Sequence, residues 1–160
     1  MLKRIALAAL AVAVAGPAFA QGNPRGEARA TVAGKAVSIE YGRPSLKGRD
    51  MLGQAQVGQA WRMGSGDATT LKTEADLTFG TVRVPKGEYV LTATKLDAQQ
   101  WQLNVLAKAD RAKIGDVPLG SESLPQSVEQ FTIELSGSGN KGELKLSWGN
   151  RALQAAFTAR

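Results

Sequence analysis

The sequence predicts an all-β fold, an antiparallel β-sandwich, jelly-roll-like or barrel-like, of roughly eight short strands. The first ground is alternation: apolar and polar residues exchange at period two in short runs along most of the chain, as in strands with one buried face. The second is punctuation: Gly, Pro, Asn and Ser gather between those runs, where tight turns need their backbone freedom or rigidity. The third is length, because 160 residues fit one domain once a leader is removed.

Each strand follows from its own alternation. Residues 36–41 place Val37, Ile39 and Tyr41 on one face, with Ser38 and Glu40 opposite. Leu77 and Phe79 share a face, Gly80-Thr81 reads as a hairpin turn, and Val82 and Val84 follow. Pro85-Lys86-Gly87 is a tight turn, Pro fixing φ and Gly relieving the last position. Tyr89, Leu91 and Ala93 line the next strand, and Trp101, Leu103 and Val105 the one after. Phe131, Ile133 and Leu135 alternate with Thr132 and Glu134. Leu144, Leu146 and Trp148 alternate with Glu143, Lys145 and Ser147, and Leu153, Ala155 and Phe157 close the chain. Residues 136–140, Ser-Gly-Ser-Gly-Asn, read as a flexible hairpin loop, and Gly149-Asn150 as a two-residue turn. Residues 107–113 suit a helical turn, and residues 108–127 as a whole read as an irregular crossover.

Ahead of this domain stands a leader. Lys3 and Arg4, an apolar run over residues 5–15, the helix breakers Gly16-Pro17 and the small-residue motif Ala18-Phe19-Ala20 make residues 1–20 a secretory signal peptide. The run is too short to span a bilayer, which takes about 20 apolar residues, and no later segment spans one. Residues 21–26 are expected to form a mobile tail and residues 27–158 the domain. The address implies a periplasmic or secreted protein.

Composition narrows the chemistry. The chain has no Cys and no His. That excludes disulfides, thiolate or imidazole metal sites, Cys nucleophiles and Ser-His-Asp hydrolysis. No metal or other cofactor is expected. The net charge is +6, and removing the leader takes two cations and no acid, leaving +4. This is too weak and too scattered for a nucleic-acid partner.

The most unusual stretch is Tyr41-Gly42-Arg43-Pro44-Ser45-Leu46-Lys47-Gly48-Arg49. Arg43, Lys47 and Arg49 fall in a shaped loop directly after an alternating strand, and Trp61-Arg62 follows. A guanidinium offers a planar fork to carboxylate, phosphate or sulfate. Indole and phenol faces stack on sugar rings or on Arg. Tyr41, Arg43, Lys47, Arg49, Trp61 and Arg62 are therefore the candidate ligand-binding residues. The bland alternative is that Arg43 and Arg62 pair with Glu40, Asp67 or Asp76 and staple the loop down, with Trp61 in the core. Weaker signals end in ordinary structure. Gly64-Ser65-Gly66 is a turn without the full nucleophile-elbow pattern. Glu74 and Asp76 would share one strand face, a carboxylate pair with no metal-loop context.

Ser38-Ile39-x-Tyr41-x-Arg43-Pro44-Ser45-x-Lys47-Gly48-Arg49 resembles the opening signature of a bacterial family, domain of unknown function 2911. Trp61-Arg62-x-Gly64 with Ala68-Thr69-Thr70 resembles its second block, Pro85-Lys86-Gly87-x-Tyr89-x-Leu91 its third and Trp101-x-Leu103 its fourth. The strands around Phe131-x-Ile133 and Leu144-x-Leu146-x-Trp148 are similar to its C-terminal half. The resemblance implies an exported protein with no assigned activity, and it groups Tyr41, Arg43, Lys47, Arg49, Trp61 and Arg62 as a unit. It also marks a departure: members often carry Asn, Trp and Tyr in the crossover after the fourth block, which residues 107–118 here do not. The expected function is a non-catalytic binding module for an anionic or sugar-like ligand. The alternatives are a structural or assembly subunit of the cell envelope, which predicts an exposed strand edge or apolar patch, and a carboxylate-dependent hydrolase.

Overall fold

The computed structural model describes residues 23–160, so the expected leader lies outside the described residues. Almost all of these residues are strand. In chain order they are β1 (Arg25–Val32), β2 (Lys35–Gly42), the short helix α1 (Met51–Gln54), β3 (Ala60–Trp61), β4 (Thr70–Thr73), β5 (Leu77–Phe79), β6 (Val82–Val84), β7 (Gly87–Lys95), β8 (Trp101–Ala107), β9 (Lys113–Ser138) and β10 (Lys141–Ala159). All ladders between these strands are antiparallel, and they join into one sheet in the order β1-β2-β4-β7-β8-β9-β10-β5-β6, with β3 added alongside β7. The all-β expectation holds.

The long strand β9 organises the sheet. Its first residues pair with β8, from Lys113 opposite Leu106 to Leu119 opposite Trp101. From Gly120 onward its partner is β10. The opposite edge of its second half is covered by the chain just after β2 and, at its far end, by the end of β1 and the β1–β2 turn. Leu46 N donates to Glu129 O (3.0 Å), Phe131 N to Pro44 O (2.9 Å) and Ala33 N to Gly139 O (2.7 Å), so edge groups that would be left open are satisfied. Gly137 allows the approach: a Cβ there would lie 2.7 Å from Thr31 O.

Alternation places the core where the sequence put it. Val37, Ile39, Tyr41, Leu91, Ala93, Trp101, Leu103, Val105, Phe131, Ile133, Leu144, Leu146, Trp148, Leu153 and Phe157 are buried in one cluster. Each fully buried aliphatic or aromatic side chain stabilises the fold by about 1.5–3 kcal/mol relative to exposure. Trp61 is the junction of an aromatic group. Its ring is stacked on Trp148 (5.8 Å, 14°) and edge-on to Phe131 (5.1 Å) and Trp101 (6.2 Å).

Several expectations are corrected. Gly149-Asn150 is no hairpin turn. β10 runs through it, with register shifts on either side of Gly149, whose φ is +64°. The inward residues change from even numbers (144, 146, 148) to odd (153, 155, 157) across it, which a bulge produces as well as a turn does. Residues 108–127 are no irregular crossover. One turn, closed by Arg111 N on Ala107 O (2.9 Å), leads straight into β9 at Lys113. Only Gly139-Asn140 of the expected 136–140 loop lies outside strand. Arg25 and Gly26, placed by the sequence in a mobile tail, pair with Gly42 and Tyr41. Pro24 O accepts from Arg43 N (2.7 Å), which pins the segment.

Candidate functional site

The six candidate residues separate into two pairs, Tyr41 with Arg43 and Arg49 with Trp61, while Lys47 and Arg62 join neither. Tyr41 and Arg43 face β9. The Tyr41 ring is buried, and its hydroxyl donates to Ile133 O (3.3 Å) and accepts from Ile133 N (2.9 Å). Arg43 donates from Nε to Phe131 O (3.2 Å) and from Nη2 to Thr132 Oγ1 (3.0 Å). Both side chains thus serve backbone of a strand edge, and the guanidinium is held by a carbonyl and a hydroxyl. Lys47 is exposed at φ +51°, and its amide donates to Glu129 Oε1 (3.0 Å). Arg62 is exposed and donates from Nη2 to the carbonyl of Gly66, within the bend over residues 63–67. Among the described residues, no ion pair involves Arg43, Lys47, Arg49 or Arg62, so pairing with Glu40, Asp67 or Asp76 is not what holds the loop.

Arg49 and Trp61 come together instead. They line a cleft of about 330 Å³ with Met51, Gln54, Ala55, Gln56, Gln59, Ala60 and Trp148. This volume sits at the low end of the ~300–1,000 Å³ usual for small-molecule sites. The cleft is framed by chain that the core holds still. Asp50 caps α1, its Oδ1 accepting from Gly53 N (2.9 Å), and Leu52 is buried. At the other end of α1, Lys95 Nζ donates to Gly53 O (3.0 Å) and Leu52 O (3.4 Å). Val57 bridges to Lys95, and Gly58 N donates to Lys95 O (2.9 Å). Beneath, Trp148 Nε1 donates to Glu129 O (3.2 Å), fixing the buried indole. Trp61, half-buried above it, gives the cleft an aromatic wall.

The electrostatics are one-sided. Arg49 is the one charged residue lining the cleft among the described residues, and three glutamines supply neutral donors and acceptors. Arg49 Nε leans on Leu46 O (3.5 Å). The same residue borders a shallower depression of about 410 Å³ with Asp50, Ser127, Glu129 and Asn150. Val57 stands 60% exposed between the cleft residues Gln56 and Gln59, and Leu96, next to its partner Lys95, is 44% exposed.

The other sequence signals are structural. Glu74 and Asp76 lie in the bend between β4 and β5, not on a strand face. Glu74 Oε2 accepts from Ala36 N (3.3 Å) and Asp76 Oδ1 from Lys86 N (2.8 Å). Residues 64–66 form the expected bend, pressed on Gly42, where a Cβ would fall 1.8 Å from Ser65 O. Away from the cleft, Tyr89 donates its hydroxyl to Pro85 O (2.5 Å); burial first, and the charge of Asp76 second, raise the phenol above its usual 10.0.

Trp148 and the glutamines were not among the sequence candidates. Trp148 reads as an ordinary inward residue of an alternating strand, and a lone Gln carries no chemical signature. The available signal was the spacing Gln54-x-Gln56-x-x-Gln59 just ahead of Trp61. No curated protein and no solved structure matches the chain significantly. Residues 23–157 match the family described as Protein of unknown function (DUF2911), and the chain belongs to that family.

Proposed function

We propose that the protein is a non-catalytic binding module of the exported compartment, and that the cleft between α1 and the Trp61–Trp148 pair takes an anionic or sugar-like ligand. The observation that carries this reading is the joining of an aromatic wall, one Arg and three glutamines in a single concavity without a carboxylate. Indole faces pack on the C–H faces of sugar rings. Glutamine amides match hydroxyls as donor and acceptor, and the guanidinium favours a negative group. Tyr41 and Arg43 support the site indirectly by holding residues 41–49 against β9. The export reading rests on residues 1–20 of the sequence alone.

The test is titration of intrinsic tryptophan fluorescence with neutral and acidic mono- and oligosaccharides. A saturable change with at least one of them, lost in Trp61→Ala, is expected. Absence of saturation across the whole set removes the reading.

A further inference from the structure

We infer that the cleft selects a carboxylate-bearing sugar, a uronic acid unit, over its neutral counterpart, with Arg49 reading the carboxylate and Trp61 the ring. The inference rests on the reading of the cleft as a binding site and adds the ligand's charge and orientation. Three observations carry it. The cleft lining holds a cation and no acid, so an anion entering it meets attraction and no like charge. Among the described residues the Arg49 side chain makes one hydrogen bond, from Nε to Leu46 O (3.5 Å), and no ion pair, which leaves Nη1 and Nη2 for a bidentate partner. Arg49 also forms the boundary with the neighbouring depression, and that side holds Asp50 and Glu129.

The last point sets the orientation. Asp50 and Glu129 already accept backbone N–H groups of Gly53 and Lys47, so both are fixed features of that side. A ligand carboxylate placed there would face two like charges. Placed on the indole side of Arg49, it faces none. The acidic ring therefore lies over Trp61, with its hydroxyls toward Gln54, Gln56 and Gln59. The volume of about 330 Å³ suits one or two rings, not a long buried chain.

The experiment compares trimers of galacturonic, glucuronic and mannuronic acid with their methyl esters, read by tryptophan fluorescence and checked by calorimetry. Esterification keeps the ring and removes the charge. At least one acid is expected to bind about tenfold or more tightly than its ester, the size of a charge-assisted hydrogen bond. Arg49→Gln should bring the acid down to the ester's affinity. Arg49→Lys should keep part of the preference, since it retains the charge and loses the fork. Arg83→Gln, which removes an equal charge from β6, should leave the preference intact. Free monosaccharide acids run beside the trimers tell a single-ring ligand from a polymer segment. Esters that bind as tightly as acids, or an Arg49→Gln variant that keeps the preference, overturn the inference and leave the binding site standing. No saturation by any acid or ester overturns both. Should Arg49→Gln lower the melting midpoint, the wild-type comparison of acid with ester decides alone.

Discussion

Three of the six candidate side chains separate bracing from exposure, and they respond differently to truncation. Tyr41→Phe keeps the buried ring and removes the hydroxyl that serves both polar groups of Ile133. Leaving buried backbone unsatisfied costs about 1–3 kcal/mol, so denaturant melts should show that loss with an unchanged slope. Arg43→Ala is expected to fall in the same range, since Phe131 O and Thr132 Oγ1 lose their donor. Arg62→Ala removes an exposed side chain held by one carbonyl and should change stability by less than about 0.5 kcal/mol. Tyr89 sets a pH dependence. Its folded phenol holds its proton more tightly than the unfolded one, so the unfolded chain ionises first as the pH climbs past 10.0. Stability is whole below that value and declines above it, and Tyr89→Phe should flatten the decline in alkaline urea titrations.

At the level of elements, the strands that alternate large apolar residues with polar ones were legible: β2, β5 with β6, β7, β8, the second half of β9 and the two halves of β10. β1 escaped because its inward residues, Ala28, Ala30 and Val32, are mostly small, and alanine gives little contrast. The first half of β9 escaped for a different reason. Residues 120–127 are largely exposed, and backbone pairing with β10, not a buried face, makes them strand. The site was half legible. Arg49 and Trp61 stood out by type, but the cleft exists only because α1 and β10, far apart in sequence, meet beside them. Two glycines test how the elements fit. Gly149→Ala has room, with Leu46 Cδ1 3.8 Å away, so its cost is that of the left-handed backbone, about 1–2 kcal/mol. Gly42→Ala drives a Cβ into the backbone of Ser65 and should cost more than Gly149→Ala, measured in paired urea melts.

Across the whole molecule, the pairing is dominated by partners distant in sequence. β5 pairs with the end of β10, and residues 43–47 pair with the stretch around Gln130. Such topology is slow to assemble, because loops must close before distant pairs form. Stopped-flow refolding is expected in the millisecond-to-second range, and equilibrium unfolding should show one transition by fluorescence and circular dichroism alike. Two separated transitions would mean that the β8 side and the β10 side melt independently. β9 argues against that, since it belongs to both ladders. One ribbon is common property here, so any excision, duplication or split that took either portion alone would strip a raw seam along the other. The unit can be grafted, fused or lost only in one piece.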